Sequence, residues 1–273
     1  MKLSMMSYTL ARRPGFTLPG MFAMAKDLRL DGVDMVTLYD HPAREIRTMA
    51  ADHDLPIVAY TFFAHEFAKD SDLERQPGVD KARAGIDTAV ELGAPVVMLP
   101  PAPPADCRDA KRCRDNYIKG LQKIADYATQ AKVILTVENF PGLYSPFVTA
   151  DDFLAARAEV PSLMLTFDNG NAASGEDVAA SFTKVAPYVA HAHFKDWKIR
   201  PDAAEGWRPM RDGRYYQAAL IGEGNIDQKA TVAAMKKAGY SKYINIEYEG
   251  NDYSGDEAMR RAVGYLRHII AEA

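Results

Sequence analysis

Eight apolar, strand-like runs alternate with eight amphipathic, helix-like stretches along this 273-residue chain, and that alternation leaves few folds open. The strand-like runs fall at 2–8, 33–39, 56–63, 95–100, 133–139, 163–168, 189–195 and 243–248. Helices are predicted between them, near 18–29, 43–53, 78–92, 110–131, 149–158, 176–186, 227–238 and 255–271. The helical reading rests on apolar spacings of three and four, as in Ala258, Ala262, Leu266 and Ile269-Ile270. Thr149 ahead of Asp151-Asp152, and the openings Ser174-Gly175-Glu176-Asp177 and Ser254-Gly255-Asp256-Glu257, are helix starts. Gly93 and Gly239 are stops. Strict alternation implies a parallel sheet, either an open doubly wound sheet or a closed α/β (β/α)8 TIM barrel. The count of eight, and the lack of a Gly-rich fingerprint after the first run, favour the barrel. Barrels of about 250 residues commonly form one domain. No linker or low-complexity tract interrupts the chain, so a single TIM-barrel domain over 1–273 is expected.

The hydrophobic fraction of 48% suits a chain with a sizeable core. A net charge of −4 argues against a nucleic-acid partner, which usually calls for a basic field. No apolar run reaches the length of a membrane span. Met1-Lys2 leads into Leu3-Ser4-Met5-Met6, which reads as a first strand rather than a secretory segment. Cys107 and Cys113 match no zinc spacing and read as two free thiols in a reducing compartment, so a cytoplasmic protein is expected.

Four of the later runs end in residues that can ligate a metal: Glu138, Asp168, His193 and Glu247. A carboxylate at the end of an apolar strand is costly unless a partner compensates it. Side chains alternate across a strand, so Ile134, Thr136 and Glu138 share a face. So do Met164, Thr166 and Asp168, then His191, His193 and Lys195, then Tyr243, Asn245 and Glu247. If these faces point inward, three carboxylates and an imidazole converge where barrel enzymes carry their chemistry. Such carboxylates repel one another unless a cation lies between them. Oxygen-rich ligation with one imidazole suits Mn²⁺ or Mg²⁺, with Zn²⁺, Co²⁺ and Fe²⁺ as alternatives. His191, two residues below His193, reads as a packed core histidine. His65, after the third run, is a candidate substrate contact, as are Asn139, Asn171 and Lys195. The longest connection, 196–226, is long enough to cover a site. It carries aromatic and cationic side chains, among them Trp197 and Arg214, suited to a polyhydroxylated ligand.

At these residues the chain resembles the xylose-isomerase-like TIM-barrel superfamily, also called the sugar phosphate isomerase/epimerase family. The marks are Val137-Glu138-Asn139, Phe167-Asp168-Asn169-Gly170-Asn171, His193-Phe194-Lys195-Asp196, Gly222-Glu223-Gly224-Asn225-Ile226-Asp227 and Ile246-Glu247-Tyr248. The resemblance implies that Glu138, Asp168, His193 and Glu247 bind one divalent metal ion, with Glu138 and Glu247 as the acid/base pair. Asn171 departs from the epimerase and endonuclease patterns, which carry a histidine three residues after the aspartate. The expected activity is a metal-dependent isomerase or epimerase of a small sugar or keto-sugar, acting through an enediolate. A lyase or dehydratase on a keto-sugar, keto-inositol or 3-keto-glycoside shares the first half of that mechanism, and a non-catalytic sugar-binding subunit is the alternative of another class. Barrels of this family often pair, so a homodimer is the prior expectation.

Overall fold

The outer faces of the strand-like runs supply the core. Val97 and Leu99, Leu135 and Val137, Leu165 and Phe167, Ala192 and Phe194, and Ile244 and Ile246 all join one buried cluster with the apolar stripes of the helices. In the computed structural model, which describes residues 1–104 and 106–273, these runs become parallel strands. They are β1 (Lys2–Met6), β2 (Gly32–Val36), β3 (Ile57–Thr61), β4 (Val96–Leu99), β5 (Ile134–Glu138), β6 (Met164–Asp168) and β7 (Val189–Phe194). A three-stranded insertion of β8 (Asp196–Arg200), β9 (Arg208–Pro209) and β10 (Tyr215–Ala219) precedes the last barrel strand, β11 (Tyr243–Ile246). The barrel closes in the order β1-β11-β7-β6-β5-β4-β3-β2, giving the (β/α)8 fold expected from the alternation.

The helices are α1 (Ser7–Ala11), α2 (Leu18–Asp27), α3 (Ala43–Asp52), α4 (Asp72–Leu92), α5 (Ala110–Gln130), α6 (Ala150–Glu159), α7 (Asn169–Ala172), α8 (Val178–Val185), α9 (Gln228–Lys237) and α10 (Gly255–Glu272). Three departures from expectation bear on how the chain reaches the site. The first strand stops at Met6, because Ser7 turns the chain into α1 and its hydroxyl accepts the Val36 N–H at 2.8 Å. α4 starts at Asp72 rather than 78. Ser71 and Glu74 form a reciprocal capping box, and the helix runs through Pro77-Gly78, a pair that reads as a breaker. Residues 196–226 are not one long loop. Alternating Trp197, Ile199 and Tyr216 form an antiparallel sheet whose order is β8-β10-β9, closed over a small core of Trp197, Met210, Tyr216 and Ile226.

Asp196 anchors this insertion. Its carboxylate accepts backbone N–H bonds from Trp197, Gly222, Gly224 and Ile226. A Cβ on Gly224 would lie 2.1 Å from Asp196 Oδ1, so only glycine lets the backbone close on that carboxylate.

Cys107 and Cys113, expected as free thiols, are joined in a disulfide. Asp109 caps α5 and folds the chain back, which brings Cys107 beside the first turn that holds Cys113. The cysteines therefore no longer argue for a reducing compartment. No described helix is long and apolar enough to cross a membrane.

Candidate metal centre

Register sets the site. Glu138 lies opposite Thr166, Asp168 opposite His193, and His193 opposite Asn245, so the inward faces of β5, β6, β7 and β11 end at one height. Glu138 and Asp168 are the last residues of their strands, His193 is next to last in β7, and Glu247 follows β11. One ligand atom from each of Glu138, Asp168, His193 and Glu247 lies within 4.8 Å of the others. All four residues are buried, none more than 6% exposed.

The donor set fits a divalent cation. Asp168 Oδ2 and Glu247 Oε2 are buried with the Lys195 ammonium as their charge partner, at 3.2 Å and 2.9 Å, and have no further hydrogen bond among the described residues. His193 turns Nδ1 toward Glu138 Oε1 at 2.8 Å and Glu247 Oε2 at 3.9 Å. Buried carboxylates this close are unfavourable unless protonated or paired with positive charge. Burial, reinforced by Glu249, Asp168 and Glu138 and opposed by Lys195, pushes Glu247 up to about 8. Burial likewise raises Asp168 to about 6 against the pull of Lys195. Burial opposes the His193 cation, but contact with Asp34 and Glu138 outweighs it and raises the imidazole to about 10.

These directions give a measurable consequence. In the metal-free site both His193 and Glu247 are pushed toward their protonated forms. Ligation requires the deprotonated forms, so cation uptake is expected to release protons, and affinity is expected to rise with pH. Calorimetry in buffers of different ionisation enthalpy reads the number directly. Release of no protons would contradict the assigned ligands.

Lys195 occupies the same space. Its Nζ lies 2.9 Å from Glu247 Oε2, 3.2 Å from Asp168 Oδ2 and 3.8 Å from Glu249 Oε1. Burial works against its charge, yet Asp168, Glu247 and Glu249 hold it well above the ordinary lysine range. The side chain reaches this position past Gly170, where a Cβ would lie 2.4 Å from Lys195 Cγ. Glu249, which sequence reasoning missed, balances Lys195 from the rim and is itself held by Arg208 at 3.0 Å. It stands two residues beyond Glu247, and continuing the strand's alternation would have found it.

The remaining candidates separate. Asn171 donates its backbone N–H to Asp168 Oδ1 at 2.8 Å. Its amide side chain is buried with neither atom partnered among the described residues, and so is that of Asn245. The Asn139 side chain donates to the Asp168 carbonyl and accepts from the Asp168 N–H, which ties β5 to β6. His65 is exposed on a short 3-10 turn and stacks on Phe63 with centroids 5.0 Å apart. Trp197 is buried in the insertion core, edge-on to Tyr216, with Lys195 Nζ 5.9 Å from its ring centroid. Arg214 stands apart from the centre. It pairs with Asp212 at 2.7 Å and lines a cavity of about 620 Å³ that includes none of the four centre residues. The insertion packs Tyr216 inward, and that turns Arg214 toward Asp212 and the Tyr216 hydroxyl. His191 is a buried core histidine, as expected, hydrogen-bonded to Asp34.

A closed barrel with an inward-facing carboxylate–imidazole cluster at its C-terminal end defines a class, and the comparisons agree on the fold. Residues 11–269 match the family described as xylose isomerase-like TIM barrel. The chain belongs to that family. An uncharacterized protein of Methanocaldococcus jannaschii is 24% identical over 208 residues, covering 72% of this chain and 66% of that protein's own length. The IOLI protein, solved with a bound zinc atom, superposes with a TM-score of 0.83 at 17% identity, covering 100% of this chain and 99% of that one. The 3-keto-D-glucoside 4-epimerase YcjR of E. coli gives 0.76 at 16% identity, covering 98% and 99%.

Proposed function

We propose that this protein is a divalent-metal-dependent isomerase or epimerase of a small sugar or keto-sugar. The observation that carries this reading is the convergence of Glu138, Asp168, His193 and Glu247 within 4.8 Å, all buried. These four residues would hold the ion, and Mn²⁺ is the ion we expect for so oxygen-rich a set. A bound cation supplies Lewis acidity toward adjacent carbonyl and hydroxyl oxygens of the substrate.

The chain's own residues supply the proton transfers. Glu138 and Glu247 stand on strands separated in the barrel by β6 and β7, so their carboxylates approach a substrate carbon from different sides. One takes the proton α to the carbonyl and the other returns one, to the opposite face for epimerisation or to the neighbouring carbon for isomerisation. The Lys195 ammonium stabilises the negative oxygen of the enediolate, and the unpartnered Asn171 amide hydrogen-bonds a substrate hydroxyl. Several relatives in the fold comparison are sugar epimerases by name, which supports the reading without fixing the substrate.

Lys195 provides a sharp check. Its charge repels a cation in the same cluster while serving the substrate. Lys195→Met is therefore expected to bind Mn²⁺ more tightly, by about tenfold, while kcat falls. Equal losses of metal and turnover would place Lys195 in the fold rather than the chemistry.

The reading is tested by incubating metal-reconstituted protein in D₂O with ketoses, keto-inositols and 3-keto-glycosides, followed by NMR. Deuterium entering an α-carbon with the molecular formula otherwise unchanged is the expected result. Loss of water or an aglycone would mean elimination instead, and no exchange in any compound with the ion bound would favour a binding role.

A further inference from the structure

Beneath the centre lies a second polar layer that the proposed chemistry does not use. Asp34 comes from the middle of β2, is 0% exposed, and faces β7 across the barrel interior. Its Oδ1 accepts from Ser4 Oγ at 3.1 Å, and its Oδ2 contacts His191 Nε2 at 2.5 Å. The same Oδ2 lies 3.6 Å from His193 Nε2. That nitrogen is buried with no hydrogen-bond partner among the described residues. The opposite nitrogen of the ring, Nδ1, is the one turned into the centre, toward Glu138 and Glu247.

We infer that Asp34 is a positioning residue for the metal centre: its carboxylate, 3.6 Å from His193 Nε2, favours the proton on that nitrogen and so leaves Nδ1 as the ligating atom. The physical need is plain. A neutral imidazole carries its single N–H on either nitrogen, and only the form protonated at Nε2 offers a lone pair to the centre. An outer carboxylate that accepts the far N–H selects that form, fixes the ring plane and raises the basicity of the ligating nitrogen. Asp34 is suited to this because it cannot swing away: Ser4 holds one oxygen and His191 the other. His191 therefore gains a role as the group that aims Asp34, without touching the centre itself.

Asp34 can have this role only if the centre holds a cation, as proposed above, so the test begins with cation binding. Metal-stripped wild type and Asp34→Asn are titrated with Zn²⁺ and with Mn²⁺ against a chromophoric chelator. The expected result is a wild-type site of one ion per chain and an affinity about 10–100-fold weaker in Asp34→Asn, with the far-ultraviolet circular dichroism of the two metal-free proteins alike. His191→Gln, which loosens Asp34 while leaving both partners of the His193 contact in place, is expected to lose less, up to about tenfold. Long-range ¹H–¹⁵N spectra of Zn²⁺-loaded wild type supply a readout that needs no variant: His193 should appear as the tautomer protonated at Nε2.

Wild-type affinity in Asp34→Asn, or His193 protonated at Nδ1 in the loaded protein, overturns the assignment and leaves the proposed function standing. Two ions per chain, the second lost in Asp34→Asn, also overturns it, because Asp34 would then be a ligand. A wild type that binds neither ion removes both this role and the proposed function.

Discussion

Glu247→Gln is expected to bind one cation per chain at saturating Mn²⁺ and still lose about 10²–10⁴-fold in kcat, the usual range for removing a general acid or base. Gln is isosteric and keeps a carbonyl oxygen for the ion, but it has no basic oxygen to accept a carbon-bound proton. The site makes Glu247 the more exacting of the two glutamates to replace. Its Oε2 has no hydrogen-bond partner among the described residues, and Lys195 Nζ is 2.9 Å away. Glu138, by contrast, is engaged by His193 Nδ1 at 2.8 Å. Initial rates and metal content measured on one preparation separate the two effects. Near-normal turnover in Glu247→Gln would remove it from the proton transfer, and loss of the ion together with activity would make it a ligand alone.

Asp168→Asn is expected to fail differently. Asp168 Oδ1 accepts the Asn171 N–H and opens α7, a role the Asn oxygen can keep. What is lost is the charge on Oδ2, the buried oxygen paired with Lys195 at 3.2 Å. Losing a direct ligand should cost more than losing an outer partner, so the cation affinity should fall by more than about 100-fold. Excess Mn²⁺ should then restore part of the rate, whereas Glu247→Gln should stay slow even when the site is filled. The dependence of rate on Mn²⁺ concentration in the two variants reads this contrast. A shared response would mean the residues are not divided between binding and proton transfer as described.

The four centre residues were legible in the sequence because each ends an apolar run, where a charged or imidazole side chain has no local reason to stand. Alternation then assigned them to one face, and the parallel register placed those faces side by side. Asp34 was not legible. Val33-Asp34-Met35 reads as a strand with one polar residue, and its partners His191 and His193 are about 157 residues away across the barrel. The same limit explains Arg214. A cation in a long connection was expected to face the ligand, but the direction of its side chain follows from how the insertion packs on Trp197 and Tyr216. That the Asn139 amide bonds the Asp168 backbone depends on strand spacing that a motif does not carry. The start of α4 at Asp72 rests on the Ser71–Glu74 cap, and the helix continues through Pro77.

Diffraction at the manganese edge from crystals of the Mn²⁺-reconstituted protein tests the account most directly. The expected result is one strong anomalous peak per chain, bounded by the carboxylates of Glu138, Asp168 and Glu247 and by Nδ1 of His193. No peak at that position, with Mn²⁺ at saturating concentration, would contradict the metal centre and the enzyme built on it.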